Sequence, residues 1–134
     1  MADNQKIITS LNKILEMELA GVVRYTHYSL MVYGYGRIPI ISWLRGQANE
    51  SLDHANKAGE LITNLGGHPS LAIGPLLETN THDIGNILRE SLEHEKASLD
   101  CYKDLLKLVG DTSIMLEEYA REMIYTEELH LGEV

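Results

Sequence analysis

Five side chains in this sequence have the types and spacing for metal chemistry: Glu18, His54, Glu95, Glu127 and His130. Glu127 and His130 stand three positions apart in EELH. On a helix that spacing puts both on one face about one turn apart, able to reach one ion or two adjacent ions. At about 100° per residue, Glu18 falls among Ile7, Leu11, Ile14, Leu15, Val22 and Tyr25, inside an apolar stripe. Glu95 is surrounded in the same way by Ile84, Leu88, Ser91, Ser98, Tyr102 and Leu105, while Glu93 faces the far side. Leu116, Ala120, Met123 and Leu131 flank Glu127; Ala58, Leu61 and Leu65 flank His54. A carboxylate in an apolar interior needs a partner or keeps its proton, and three of them need an explanation. A divalent cation supplies one, because carboxylate oxygens together with imidazole nitrogens suit iron, manganese or zinc.

The ligand candidates repeat along the chain. Glu18-x-Ala20-x-x-x-x-Tyr25 recurs as Glu95-x-Ala97-x-x-x-x-Tyr102, and each Glu is followed by a His at a similar interval, 36 positions to His54 and 35 to His130. Two helical hairpins related by a pseudo-two-fold axis would then face two metal positions across the core.

Helices must carry this pattern. Apolar residues recur every three or four positions, and no stretch keeps a period of two. The signals predict a first helix from about Asn4, as its cap, to about Tyr33, ended by Gly34, Gly36 and Pro39. A second runs from about Ile40 to Leu65, a third from about Asp83 to Val109, and a fourth from Asp111 to the end. The first and third connections are short and make antiparallel hairpins. Residues 66–82 form one long connection that can stretch roughly 56 Å, more than the roughly 40 Å length of a 27-residue helix. The expected fold is therefore all-α, a four-helix bundle of two antiparallel hairpins joined by a long crossover loop, in a single domain over residues 1–134.

Composition narrows the function. A hydrophobic share of 44% and a charged share of 23% exclude disorder, and a formal charge of −9 repels phosphates and anionic lipid while attracting cations. Nucleic-acid and membrane partners are not expected. The lone Cys101 allows no internal disulfide, and the N-terminal residues offer neither a signal-peptide core nor a spanning stretch, so the expected location is cytoplasmic. Met17, Met31, Met115 and Met123 read as packing, His27, His68, His82 and His94 as surface or loop residues, and Cys101 as a bystander at a helix edge. Tyr25 and Tyr102 read as core aromatics whose hydroxyls need a hydrogen-bond partner.

Taken with LNKILEMELAGVVRY, HANKAGELITNLGGHP, ILRESLEHEKA and EELH, the chain resembles the ferritin-like superfamily, most closely the bacterioferritins, from about Ile7 to His130. The resemblance implies a di-iron centre in which Glu18 and His54 hold one metal, Glu95 and His130 the other, and Glu127 bridges. It gives catalytic roles to Glu18 and Glu127, with Tyr25 a donor or redox-active phenol beside them. It implies oxidation of Fe(II) by dioxygen or peroxide, iron storage or detoxification, and a homo-oligomer.

Three departures qualify this. The first-half ExxH glutamate falls on Ser51, removing one bridging carboxylate and weakening one metal position, unless neighbouring Glu50 leans in to replace it. The haem-ligating methionine is Leu52, so no haem is expected. The sequence ends four residues after His130, which points to a dimer or another assembly rather than the family's 24-subunit shell. A competing reading is a non-catalytic assembly or interaction protein with one structural metal, such as zinc, or none. A third is a di-metal oxidase acting on an organic substrate.

Overall fold

The structure is a computed structural model and describes residues 3–133. Four helices account for most of them: α1 (Asn4–Met31), α2 (Arg37–Asn64), α3 (Ile84–Val109) and α4 (Ile114–Glu133). Helix α1 packs on α2 and α3, and α3 packs on α4, giving the expected bundle of two hairpins. None of the described helices is long and apolar enough to cross a membrane.

The helix ends follow local chemistry, with three corrections to the sequence reading. Asp3, not Asn4, caps α1, its carboxylate accepting from the Gln5 amide at 2.9 Å. Pro39 does not separate the first two helices; it lies within the first turn of α2, where its missing N–H leaves no helical bond unmade. Helix α4 begins at Ile114, not Asp111, because Ser113 caps it: the Leu116 amide donates to Ser113 Oγ at 3.2 Å. Asp83 is the α3 cap, accepting from Asn86 N at 3.0 Å.

The crossover, residues 65–83, lies along α1 and is tied to it from end to end. Asn12 Nδ2 donates to the His68 carbonyl at 3.1 Å, and the Ser70 amide donates back to Asn12 Oδ1 at 2.7 Å. Midway, the Gly74 amide donates to the Glu16 carbonyl at 2.9 Å; a Cβ on Gly74 would stand 3.0 Å from that oxygen, so this approach favours glycine. Near the other end the Tyr33 amide donates to the His82 carbonyl at 3.1 Å, while His82 Nδ1 donates to the Met31 carbonyl at 2.7 Å. These ties bring α3 back antiparallel to α1.

Two apolar clusters sit on either side of the polar middle. One gathers Leu11, Ile14, Ala58, Ile62, Leu105, Val109, Leu116 and Met123; the other gathers Tyr25, Tyr28, Leu44, Ala48 and Ile87. Met17, Met31 and Met123 pack in the core, but Met115, in the first turn of α4, is exposed.

Candidate metal centre

Every helix delivers an ionisable side chain to the layer between the two clusters: α1 Glu18, α2 His54, α3 Glu95, and α4 Glu127 with His130. Glu127 is the most enclosed, 1% exposed, and Glu18, His54 and Glu95 are buried as well. Their donor atoms form two groups, Glu18–His54–Glu127 and Glu95–Glu127–His130, with Glu127 common to both; within each, the atoms lie within 4.8 Å of one another. His54 Nδ1 is 2.9 Å from Glu18 Oε2 and 3.6 Å from Glu127 Oε1. His130 Nδ1 is 3.9 Å from Glu127 Oε2.

The tyrosines connect the halves. Tyr102 on α3 donates its hydroxyl to Glu18 Oε2 at 2.6 Å, and Tyr25 on α1 donates to Glu95 Oε1. Each phenol thus serves the carboxylate of the facing helix, as two repeats about a pseudo-two-fold axis require. Burial, and after it the adjacent Glu95 for Tyr25 and Glu18 for Tyr102, raises both phenol pKa values, so both remain donors.

The electrostatics are those of crowded acids. Burial raises Glu18, against the lowering effect of His54 and Tyr102. Burial opposes the positive charge on His54, but Glu18 and then Glu50 hold its pKa above the ordinary range. Glu95 and Glu127 titrate as a pair, with opposite shifts. Burial and then Glu95 raise Glu127, whereas Glu95 is lowered: burial disfavours its charge, but hydrogen bonds from Glu127 and Tyr25 outweigh that. Glu127 Oε2 is nevertheless buried without a hydrogen-bond partner. Such an orphaned oxygen common to two oxygen-and-nitrogen donor groups fits a pair of divalent cations.

The departures noted in the sequence also have definite places. Ser51 is buried on α2 one turn before His54, and its Oγ would lie 2.8 Å from a Cβ on Gly21, so α1 and α2 approach closely there. Glu50 belongs to neither donor group. Its Oε1 is 2.8 Å from His130 Nε2 and 3.8 Å from His54 Nε2, on the opposite edge of both rings from Nδ1. Leu52 is exposed.

One histidine was misread from the sequence. His94 is buried, edge-on to Tyr25 at 6.4 Å between ring centroids, with Arg24 Nη1 3.4 Å from its Nδ1. Burial and then Arg24 push its pKa down to about 4. The missed signal was the spacing Ile87–His94–Cys101, three residues seven apart that all lie inside; Cys101 too is buried, not merely at an edge. His27 and His68 are exposed, and His82 lies in the crossover.

A sequence profile of the ferritin-like domain matches residues 8–134. Bacterioferritin from Desulfovibrio desulfuricans is 28% identical over 129 residues, which span 94% of this chain and 70% of that one. A ferritin-like diiron-carboxylate protein from Bacillus anthracis superposes with a TM-score of 0.91 at 21% identity, covering 99% of this chain and 96% of its own. The bacterioferritin-related protein from Bacteroides fragilis, a dodecameric thioferritin, gives 0.90 at 21%, covering 98% and 83%. Rhodobacter capsulatus bacterioferritin, a haem-iron protein solved with a metal-free dinuclear site, gives 0.88 at 24%, covering 98% and 82%. At these identities the superpositions speak for the fold, and the profile extends over nearly the whole sequence. The chain belongs to the ferritin-like domain family.

Proposed function

We propose that this chain binds two Fe(II) ions inside the bundle and oxidises them with dioxygen or peroxide, in the service of iron storage or detoxification. The observation that carries the reading is Glu127: an enclosed carboxylate common to two donor groups, with one oxygen that no protein group satisfies. Glu18 with His54 would hold one ion, Glu95 with His130 the other, and Glu127 would span them. Iron supplies the redox chemistry when bound, one electron from each Fe(II). The chain's own part is to neutralise charge with three carboxylates, to fix them through Tyr25 and Tyr102, and to exclude bulk water by burial. Tyr25, beside Glu95, is the phenol placed to donate a proton or an electron at the site.

The −9 charge favours cation capture. Leu30, Leu71, Leu76 and Leu77 are exposed on α1 and the crossover, which supports a homo-oligomer. A cytoplasmic location and the absence of bound haem belong to the same proposal. Anaerobic Fe(II) titration followed by oxygen tests the reading. Two equivalents should bind per chain and Fe(III) absorbance should then develop; Glu127→Ala should cripple both, and binding of fewer than two equivalents by the unaltered protein would overturn it.

A second reading rests on Ser51, whose short side chain supplies no carboxylate where the family has one. On that reading the bundle is an assembly or interaction protein with one structural zinc or no metal. Elemental analysis of the purified protein separates the two.

A further inference from the structure

Both imidazoles of the centre turn Nδ1 inward and Nε2 outward. The rings are 6.4 Å apart between centroids and nearly parallel, 17° between planes. The group that meets their outward edges is the Glu50 carboxylate, one turn before His54 on α2, with its side chain 35% exposed. A single oxygen, Oε1, stands 2.8 Å from His130 Nε2, within ion-pair distance, and 3.8 Å from His54 Nε2, beyond hydrogen-bond reach. Neither imidazole has another carboxylate on its Nε2 edge within 4.0 Å among the described residues.

We propose that Glu50 is a positioning residue for the centre: one carboxylate at the solvent edge that pairs with the Nε2 edge of His130, fixing that ring with Nδ1 directed inward, and faces the Nε2 edge of His54 as a nearby negative charge. The inference rests on the two-cation reading for its purpose, but the clamp itself is a property of the protein alone. A histidine whose outer N–H is held by a carboxylate keeps one tautomer and one ring orientation, and its inner nitrogen becomes a stronger donor. Glu50 also accounts for how the chain functions with Ser51 in place of a bridging carboxylate. Glu18, Glu95 and Glu127 leave two divalent ions short of one negative charge, and Glu50 supplies it from outside the donor groups. It replaces the missing charge without replacing the missing bond.

Protein carrying 15N-labelled histidine tests this in the metal-free and Zn(II)-loaded states, with circular dichroism confirming that each variant folds. In the unaltered protein the Nε2–H signal of His130 should resist exchange with water. Glu50→Ala should lose that protection in both states and weaken Zn(II) binding about 10- to 100-fold. Glu50→Gln, which keeps an acceptor oxygen but no charge, should retain the His130 signal while still weakening Zn(II). Full protection in metal-free Glu50→Ala would overturn the clamp, and unchanged Zn(II) affinity in Glu50→Gln would overturn the charge role. If the unaltered protein binds fewer than two Zn(II) while its His130 Nε2–H signal depends on Glu50, the two-cation reading fails and the clamp stands.

Discussion

Replacing Glu127 by glutamine should stabilise the metal-free protein and, on the two-cation reading, abolish the binding of two cations. In the unfolded chain Glu127 titrates near its ordinary value of 4.5, whereas in the bundle burial and the facing Glu95 keep a proton on it well above neutrality. The folded pKa is raised, so between those values the folded state binds the extra proton and its stability falls as pH rises. At pH 7 the cost depends only on the distance from 4.5, about 1.4 kcal/mol per pH unit, and so reaches about 3 kcal/mol. Glutamine keeps the shape and an N–H donor for Glu95 but carries no such titration. With Glu127 1% exposed, solvent offers little screening to reduce the figure.

The assay is urea unfolding of metal-free protein between pH 4 and pH 7.5, comparing Glu127→Gln with the unaltered chain. The two should be nearly equal at pH 4, where both forms of the acid are protonated, and should diverge to about 3 kcal/mol at pH 7. For a chain of this size that corresponds to roughly 10 °C in Tm. Comparing the two proteins removes the parallel contributions of Glu18 and His54. Adding Zn(II) should then raise the Tm of the unaltered protein much more than that of the variant, since both donor groups need Glu127. A variant no more stable than its parent at pH 7, or a gap that does not widen with pH, would refute the claim that the centre crowds acids in wait for a cation.

Other substitutions read other parts of the same centre. Tyr25→Phe and Tyr102→Phe should each cost about 1.5–3 kcal/mol of metal-free stability in urea, because each removes the phenol hydrogen bond of a buried carboxylate; a large inequality between them would contradict the pseudo-two-fold arrangement. Gly21→Ala puts a Cβ 2.8 Å from Ser51 Oγ and 3.2 Å from His94 Nε2, so the gain in helix propensity should be outweighed, for a net loss of about 1 kcal/mol in the same assay. His94 stays neutral in the fold down to about pH 4. The stability this gives is complete above the ordinary histidine pKa of 6.5 and is lost as pH falls from 6.5 to 4, by up to about 3 kcal/mol; His94→Asn, which keeps an acceptor for Arg24, should flatten that acid limb in unfolding curves taken from pH 7 to 4.5.

What the sequence could reveal was whatever depends on a single helix. Glu18, Glu95 and Glu127 could be picked out because their neighbours three and four positions away are apolar, and a helix that buries those neighbours buries the acid too. The donor groups Glu18–His54–Glu127 and Glu95–Glu127–His130 bring together the residues that the family resemblance paired. Errors arose where a side chain's surroundings come from elsewhere. An apolar stripe centred on Glu95 leaves His94 outside, but α1 presents the side-chain-free backbone of Gly21 at that level, and the absence of a Cβ lets the imidazole in. Whether Glu50 leans in towards the missing bridge could not be read from α2 alone; it pairs instead with His130, on a helix about eighty residues later. The crossing of tyrosines between halves was equally out of reach, since the repeat shows that Tyr25 and Tyr102 are equivalent but not which acid each will serve.

The pseudo-two-fold relation holds for the tyrosines and histidine rings around the centre and is incomplete at its middle. Tyr25 and Tyr102 exchange carboxylates between α1 and α3, and His54 and His130 present parallel rings. The axis would also relate Glu127 to the position of Ser51, however, and Ser51 is pressed against Gly21 with no carboxylate to offer. One acid must therefore do at the centre what symmetry would divide between two. This places Glu127 within reach of every other acid of the layer, and makes it the group that keeps a proton when no cation is present. A cation pair taking its place there would have to release that proton, so affinity should rise with pH even where the histidines are already neutral. The asymmetry also separates the two halves: Glu18 is hydrogen-bonded to both Tyr102 and His54, whereas Glu95 is hydrogen-bonded to Tyr25. On the two-cation reading, a cation pair would have to displace the His54 Nδ1–Glu18 contact of 2.9 Å as well as the proton on Glu127, so neither half is free of rearrangement.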